Sequence, residues 1–299
     1  MDPIPVTVIG GYLGAGKTSL VNHLLRTADG LRLAVLVNEF GELPIDADLI
    51  EAEGDDVIAI AGGCVCCSYG DDLARALIDM ARMDPRPDHV LIECSGVAIP
   101  SAVTGALTLQ ADYQPDGVAV LVDAETARAN AADVYVGDTV RRQFAEADLL
   151  LLNKIDLVSG DALDALAAWL GEQAPGASLL KIVEGRAPRE SVVGAALGRE
   201  APAAPPPRHG DVFETVAFAP PGPVDPEALA RALAEAPGLV RAKGFVEAQD
   251  GVCWRIQIVG SRLRVERAPA GSVVGLVAIG AKAAFDPRAA LAAAEAAAV

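Results

Sequence analysis

Residues Gly11–Thr18, GYLGAGKT, constrain the fold of this chain more than any other stretch. They follow the apolar run Val6–Ile9 and lead into Ser19-Leu-Val-Asn-His-Leu-Leu, whose apolar residues recur at helical spacing. Strand, Gly-rich loop, Lys-Thr and helix make up the P-loop arrangement. Gly11, Gly14 and Gly16 let the backbone curl, so that successive N–H groups around Ala15 point inward at phosphate oxygens. Lys17 can reach the β- and γ-phosphates, and the Thr18 hydroxyl is placed to hold Mg²⁺. The helix opening at Ser19 adds its positive dipole end. By composition alone such a pattern arises in roughly one chain in a hundred of this length, and the flanking strand and helix make chance less plausible still. This motif predicts a nucleoside triphosphate site.

Short β-rich apolar runs recur at Val6–Ile9, Leu33–Val37, Val57–Ile60, His89–Ile92, Val118–Val122, Leu149–Leu152 and Leu179–Val183. Helical spacing lies between several of them, at Leu73–Met80, Thr139–Ala147 and Asp161–Leu170, the last opening with an Asp able to cap it. Runs apolar throughout that alternate with helices indicate a parallel sheet covered on both faces. Residues 1–185 therefore read as one doubly wound, mostly parallel α/β domain, with its ligands at the carboxyl ends of the strands. The stretch 186–210, with Ala-Pro-Ala-Ala-Pro-Pro-Pro, reads as a linker. Residues 211–299 read as a small α+β domain. Its strands are expected at Phe213–Phe218, Phe245–Ala248, Cys253–Val259, Leu263–Arg267 and Val273–Ile279, and its helices at Pro226–Ala236 and Asp286–Ala298.

A net charge of −17 leaves no broad surface that could neutralise nucleic-acid phosphates, and it suits an anionic membrane poorly. No apolar run approaches 18 residues, and the start lacks a basic signal-peptide region. Five cysteines, three of them within four positions, do not make a disulfide framework, so a reduced, cytoplasmic setting is expected.

Four further motifs carry chemistry. Asn153-Lys154-Ile155-Asp156 directly follows the apolar run Leu149–Leu152. In such a tetrad the Asp156 carboxylate accepts from N1–H and the N2 amine of guanine, Asn153 contacts the N7/O6 edge, and Lys154 lays its stem along the ring. Adenine would leave that carboxylate unpaired, a loss that can discriminate by ~10⁴ or more, so GTP is preferred to ATP. Glu93-Cys94-Ser95-Gly96 ends the run His89–Ile92; Glu93 is placed to hold Mg²⁺ with Thr18, and Gly96 to meet the γ-phosphate with its N–H. Gly62-Gly63-Cys64-Val65-Cys66-Cys67 offers three soft thiolates, suited to Zn²⁺ or, less commonly, Co²⁺ or Cu⁺. Glu39, Glu42 or water could complete a tetrahedral site. Asn38-Glu39-Phe40-Gly41-Glu42 is placed as a loop that senses the γ-phosphate, with Glu42 among the candidate catalytic groups. Cys94 stands beside the expected Mg²⁺ site, and Cys253 reads as a core residue.

Taken together these residues resemble the CobW-type GTPases, relatives of the GTPases that mature urease and hydrogenase. The resemblance rests on Gly10–Leu20, Asn38–Glu42, Gly63–Cys67, Glu93–Gly96 and Asn153–Asp156, in that order. His209-Gly210, Arg241-Ala-Lys-Gly-Phe245 and Leu276–Gly280 echo the C-terminal module of that family. It implies a metal-binding GTPase that passes Zn²⁺ or Co²⁺ to a client metalloprotein or a cobalamin-pathway enzyme, with slow turnover and a homodimer allowed. Departures are Cys94 where Thr or Ser is usual, Val37 where some relatives carry an acidic residue, and only three histidines, which argues against bulk metal storage. The competing readings are an ATP-dependent kinase or transferase with a structural zinc clip, and a module that holds GTP as a structural ligand.

Overall fold

The computed structural model describes residues 2–38, 57–62, 71–193, 213–259, 262–268, 272, 274–281 and 285–297. They divide into two compact units. The first comprises residues up to 175 together with 181–193, and the second residues 176–180 and those from Phe213 onward.

A sheet ordered β3-β2-β4-β1-β5-β6-β7 supplies the strands β1 to β6 to the first unit. Its strands are β1 (Ile4–Gly11), β2 (Leu33–Asn38), β3 (Val57–Gly62), β4 (His89–Glu93), β5 (Tyr113–Asp123), β6 (Leu149–Asn153) and β7 (Ser178–Lys181). The pairs among β1 to β6 are all parallel. Strands covered on both faces cannot alternate apolar with polar, and every residue of β4 and β6 is buried. The helices α1 (Lys17–Arg26), α2 (Asp71–Ala81), α3 (Pro100–Leu107), α4 (Ala127–Ala132), α5 (Gly137–Ala145) and α6 (Gly160–Gln173) lie between the strands in sequence. Several bury one stripe at three- and four-residue spacing, Leu20 with Leu24, Leu73 with Leu77 and Met80, and Leu166 with Leu170.

Two helices are among the departures from the sequence reading. α6 starts after Ser159, so Asp161 lies in the first turn rather than capping it. The helix α3 was not expected at all: Thr104 and Gly105 weaken its propensity, and Pro100 at the first helical position was its one start signal. The first unit also takes in the short helix α7 (Arg189–Val192). Three contacts fix that segment. The Thr7 hydroxyl donates to Val192 O at 2.9 Å, His23 Nε2 bonds Ala187 O at 3.0 Å, and Arg189 donates to Ala28 O at 2.6 Å.

The second unit is a five-stranded antiparallel sheet, ordered β11-β10-β9-β12-β8. Its strands are β8 (Phe213–Phe218), β9 (Leu239–Glu247), β10 (Cys253–Val259), β11 (Arg262–Arg267) and β12 (Gly275–Ala281). Ala242, Val246, Ile256, Ile258, Leu276 and Ala278 form one core with Leu229 and Leu233 of α8 (Pro226–Ala234) and Ala290 and Ala294 of α9 (Pro287–Ala296). Asp225 and Asp286 cap those two helices through their side chains. β9 begins six residues before the expected Phe245, because Arg241, Lys243 and Gly244 interrupt the apolar run without interrupting the strand. Cys253 is half-buried on the face opposite Trp254, Ile256 and Ile258, so it is not a core residue.

Candidate functional site

Every described strand-terminal motif of the first unit leaves the carboxyl edge of the parallel sheet. Register fixes their spacing: Ile9 and Val37 both lie opposite Glu93, Asn38 lies opposite Gly62, and Asp123 opposite Asn153.

β1 runs into the loop Tyr12–Gly16, and α1 starts at Lys17. Gly16 has φ of 101°, and a Cβ there would stand 2.5 Å from Asn153 Nδ2, so only glycine fits. α1 has no side-chain cap and no acidic residue in its first turn. Its first amides and its dipole thus face the loop with no acidic residue of the helix itself to compensate them, which suits an anion. Lys17 is buried and its Nζ donates to Gly11 O at 3.0 Å. The Thr18 hydroxyl donates to Glu93 Oε1 at 3.1 Å, and Glu93 is 2% exposed at the tip of β4. A hydroxyl and a carboxylate side by side are hard oxygen donors of the kind Mg²⁺ prefers. Gly14 and Ser19 flank this cradle, both in the loop-to-helix segment.

Cys94 pairs its amide with Ile9 O at 2.8 Å and is 1% exposed. Burial pushes its thiol up to about 12, against the pull of the neighbouring Lys17 ammonium. A thiol held neutral in this way is a poor nucleophile near neutral pH. Gly96 follows in a turn closed by Ala98 N donating to Ser95 O at 2.9 Å. It lies against the P-loop, where a Cβ would meet Leu13 N at 2.9 Å.

At the other end of the edge, Asn153 is 2% exposed and both ends of its amide are engaged. Nδ2 donates to Ala15 O at 2.9 Å, and Oδ1 accepts from Gly185 N at 3.0 Å. One amide hydrogen is left, so Asn153 can meet a base edge only as a donor, as N7 and O6 of guanine require. Lys154 adopts the left-handed conformation, φ 61°, and its Nζ pairs with Asp123 Oδ2 at 2.7 Å. Asp156 is exposed in the 3₁₀ turn Ile155–Leu157. The sequence-predicted residues Gly11, Gly14, Ala15, Gly16, Lys17, Thr18, Ser19, Glu93, Gly96, Asn153, Lys154 and Asp156 thus lie along one edge.

Sequence reasoning missed two contributors here. Asp123, the last residue of β5, is visible only through register with Asn153. The turn at Glu184-Gly185, both with positive φ, reaches Asn153 from 32 residues away, and no local pattern announces it. Glu39, Glu42, Cys64, Cys66 and Cys67 lie outside the described residues, as does the Asn38 side chain. Among the described residues no group of three or more His, Cys, Asp or Glu could hold a metal ion. No described helix is long and apolar enough to cross a membrane.

Strand, glycine loop, lysine-led helix, a strand-tip carboxylate and a base-end Asn-Lys-x-Asp define a P-loop nucleotide-binding domain. Residues 5–181 match the CobW/HypB/UreG nucleotide-binding domain and residues 213–297 the cobalamin synthesis protein cobW C-terminal domain, so the chain belongs to this family. It is similar to the zinc chaperone CobW of a Sinorhizobium species, 35% identical over 191 residues, covering 54% of each chain. It is likewise similar to the Escherichia coli zinc chaperone YjiA, 36% identical over 170 residues, covering 54% of this chain and 52% of that one. The chain spans about half the length of the curated relatives it matches. In fold it resembles the Zn(II)-bound YjiA GTPase from Escherichia coli, with a TM-score of 0.50, 23% identity and 98% of both chains covered.

Proposed function

We propose that this protein is a GTP-hydrolysing metal chaperone. GTP sits along the carboxyl edge, its phosphates in the Gly11–Ser19 cradle and its guanine against Asn153, Lys154 and Asp156. Lys17 neutralises phosphate charge, Thr18 and Glu93 hold Mg²⁺, and the Gly96 N–H meets the γ-phosphate. Bound Mg²⁺ would supply charge neutralisation at the phosphates. The cargo is Zn²⁺ or Co²⁺, taken by Cys64, Cys66 and Cys67 and handed to a client metalloprotein; relatives named as zinc chaperones favour zinc.

The observation that carries this reading is the register of β2, β3 and β4. Gly62, the last described residue before the cysteines, is paired with Asn38 on β2, the strand next to Glu93. With strands about 4.8 Å apart, Gly62 leaves the sheet roughly 10 Å from the β4 tip. Cys64 is only two residues further on, within about 7 Å of chain. That register supports a carrier in which Asn38–Glu42 links the γ-phosphate to the cysteines and hydrolysis releases the cargo.

Titration of the GTP- and GDP-bound forms with Zn²⁺ and Co²⁺ tests it. The two forms should bind a single ion per chain with affinities differing by about tenfold or more. Cys66→Ala should lose that ion and keep GTP affinity. Equal metal affinity in both nucleotide states, or metal retained by the variant, sinks the carrier reading.

A further inference from the structure

The helix α5 belongs to none of the nucleotide motifs, yet its last turn grips the loop that follows Glu93. Gln143 is completely buried. Its amide nitrogen donates to Gly96 O at 3.1 Å and to Ala98 O at 2.8 Å. Chemistry fixes this orientation, because the reversed amide would set an oxygen against two carbonyl oxygens. Glu146 caps the same helix three residues on, and therefore on the same side. Its carboxylate accepts from Ser101 N at 2.8 Å and from the Ser101 hydroxyl at 2.9 Å, in the first turn of α3. Four hydrogen bonds from one helical turn thus hold Gly96–Ser101 from behind. In front, Gly96 abuts Leu13 of the P-loop so closely that a Cβ would lie 2.5 Å from its side chain. The loop is clasped between the P-loop and α5.

We infer that Gln143 is a positioning residue for γ-phosphate recognition and hydrolysis. By holding the Gly96 and Ala98 carbonyls it fixes the peptide planes of the turn beside the terminal phosphate, with Glu146 as the outer half of the same clasp. This rests on the GTP reading above. A ligand lacking the γ-phosphate makes no use of that turn, so GDP binding is indifferent to Gln143 while GTP binding and turnover are not.

The test uses the full chain with Mg²⁺. It measures single-turnover GTP hydrolysis and the affinities for GDP and for a non-hydrolysable GTP analogue. Gln143→Ala and Gln143→Glu, the second nearly isosteric but unable to donate twice, should slow hydrolysis by roughly tenfold or more. Both should erode the preference for the analogue over GDP and leave GDP affinity within about twofold. Val140→Ala, a buried change on the same helix, should lower the melting temperature without moving either readout. Glu146→Ala, at the outer half, should give a smaller loss in the same direction and decides the matter if the Gln143 variants do not fold. Folded variants with unchanged turnover and unchanged analogue-to-GDP preference overturn the inference. A parent chain that binds no GTP overturns the underlying reading instead, and is seen before any variant is compared.

Discussion

The two ends of the nucleotide edge are built on different principles. At the base end, Asn153 is buried and bonded at both ends of its amide, tying Ala15 of the P-loop to Gly185. Its task is largely complete before any ligand arrives. At the phosphate end, Lys17 and Thr18 rest on a backbone carbonyl and on the Glu93 carboxylate, contacts that each donor can exchange for a ligand's oxygen or an ion. One end is a structural joint, and the other is a set of exchangeable contacts. The same side-chain chemistry therefore answers differently to removal, in stability at one end and in affinity at the other.

The largest effect follows from cutting the joint. Asn153→Ala strands the Gly185 N–H and the Ala15 carbonyl in a buried site, which costs about 3 kcal/mol of stability. Chemical denaturation should show the loss without any nucleotide present; an unchanged unfolding midpoint would erase the contrast between the two ends. Lys17→Ala should cost GTP about 2 kcal/mol, roughly thirtyfold in Kd, through loss of a charged donor. Its unfolding midpoint should move far less than that of Asn153→Ala, and calorimetric titration paired with denaturation reads both. A comparable loss of stability from the two variants would mean that the phosphate end is a joint as well.

The smallest effect concerns the floor of the phosphate end. The Cys94 thiol ionises near 9.0 in an unfolded chain and only at about 12 when folded. Between those values the unfolded chain holds fewer protons, so stability falls as pH rises above 9 and is fully present below it. By pH 10 the fall should reach about 1.4 kcal/mol relative to pH 7, and Cys94→Ala should lack that part of the slope. Parallel pH profiles for parent and variant would refute a buried neutral thiol beside Lys17.

Much of this was legible in the linear chain. The parallel strands announce themselves as unbroken apolar runs, and the P-loop and Asn153–Asp156 are contiguous motifs whose geometry follows from backbone and side-chain type. Less visible was anything built across distance. Arg241, Lys243 and Gly244 disguise the start of β9, since two charges and a glycine break the apolar run and read locally as loop. The segment Arg186–Val193 looks like the start of a linker, yet it is held by His23, Thr7 and the Ala28 carbonyl through single hydrogen bonds from remote residues. Asp123 and Gln143 carry no motif at all.

The order of residues alone settled the doubly wound class and placed the glycine loop and the Asn153–Asp156 tetrad at strand ends, because each depends on neighbours along the chain: a turn that needs glycine, a helix that starts on lysine, a strand that is apolar throughout. Tertiary structure alone decided that Asn153 is a joint, that Cys94 is sealed and neutral, and that Gln143 stands behind Gly96. Those outcomes depend on which backbone carbonyls and amides come within hydrogen-bonding distance once the sheet has closed, and a hydrogen bond between residues 32 or 47 positions apart leaves no periodic trace in the sequence.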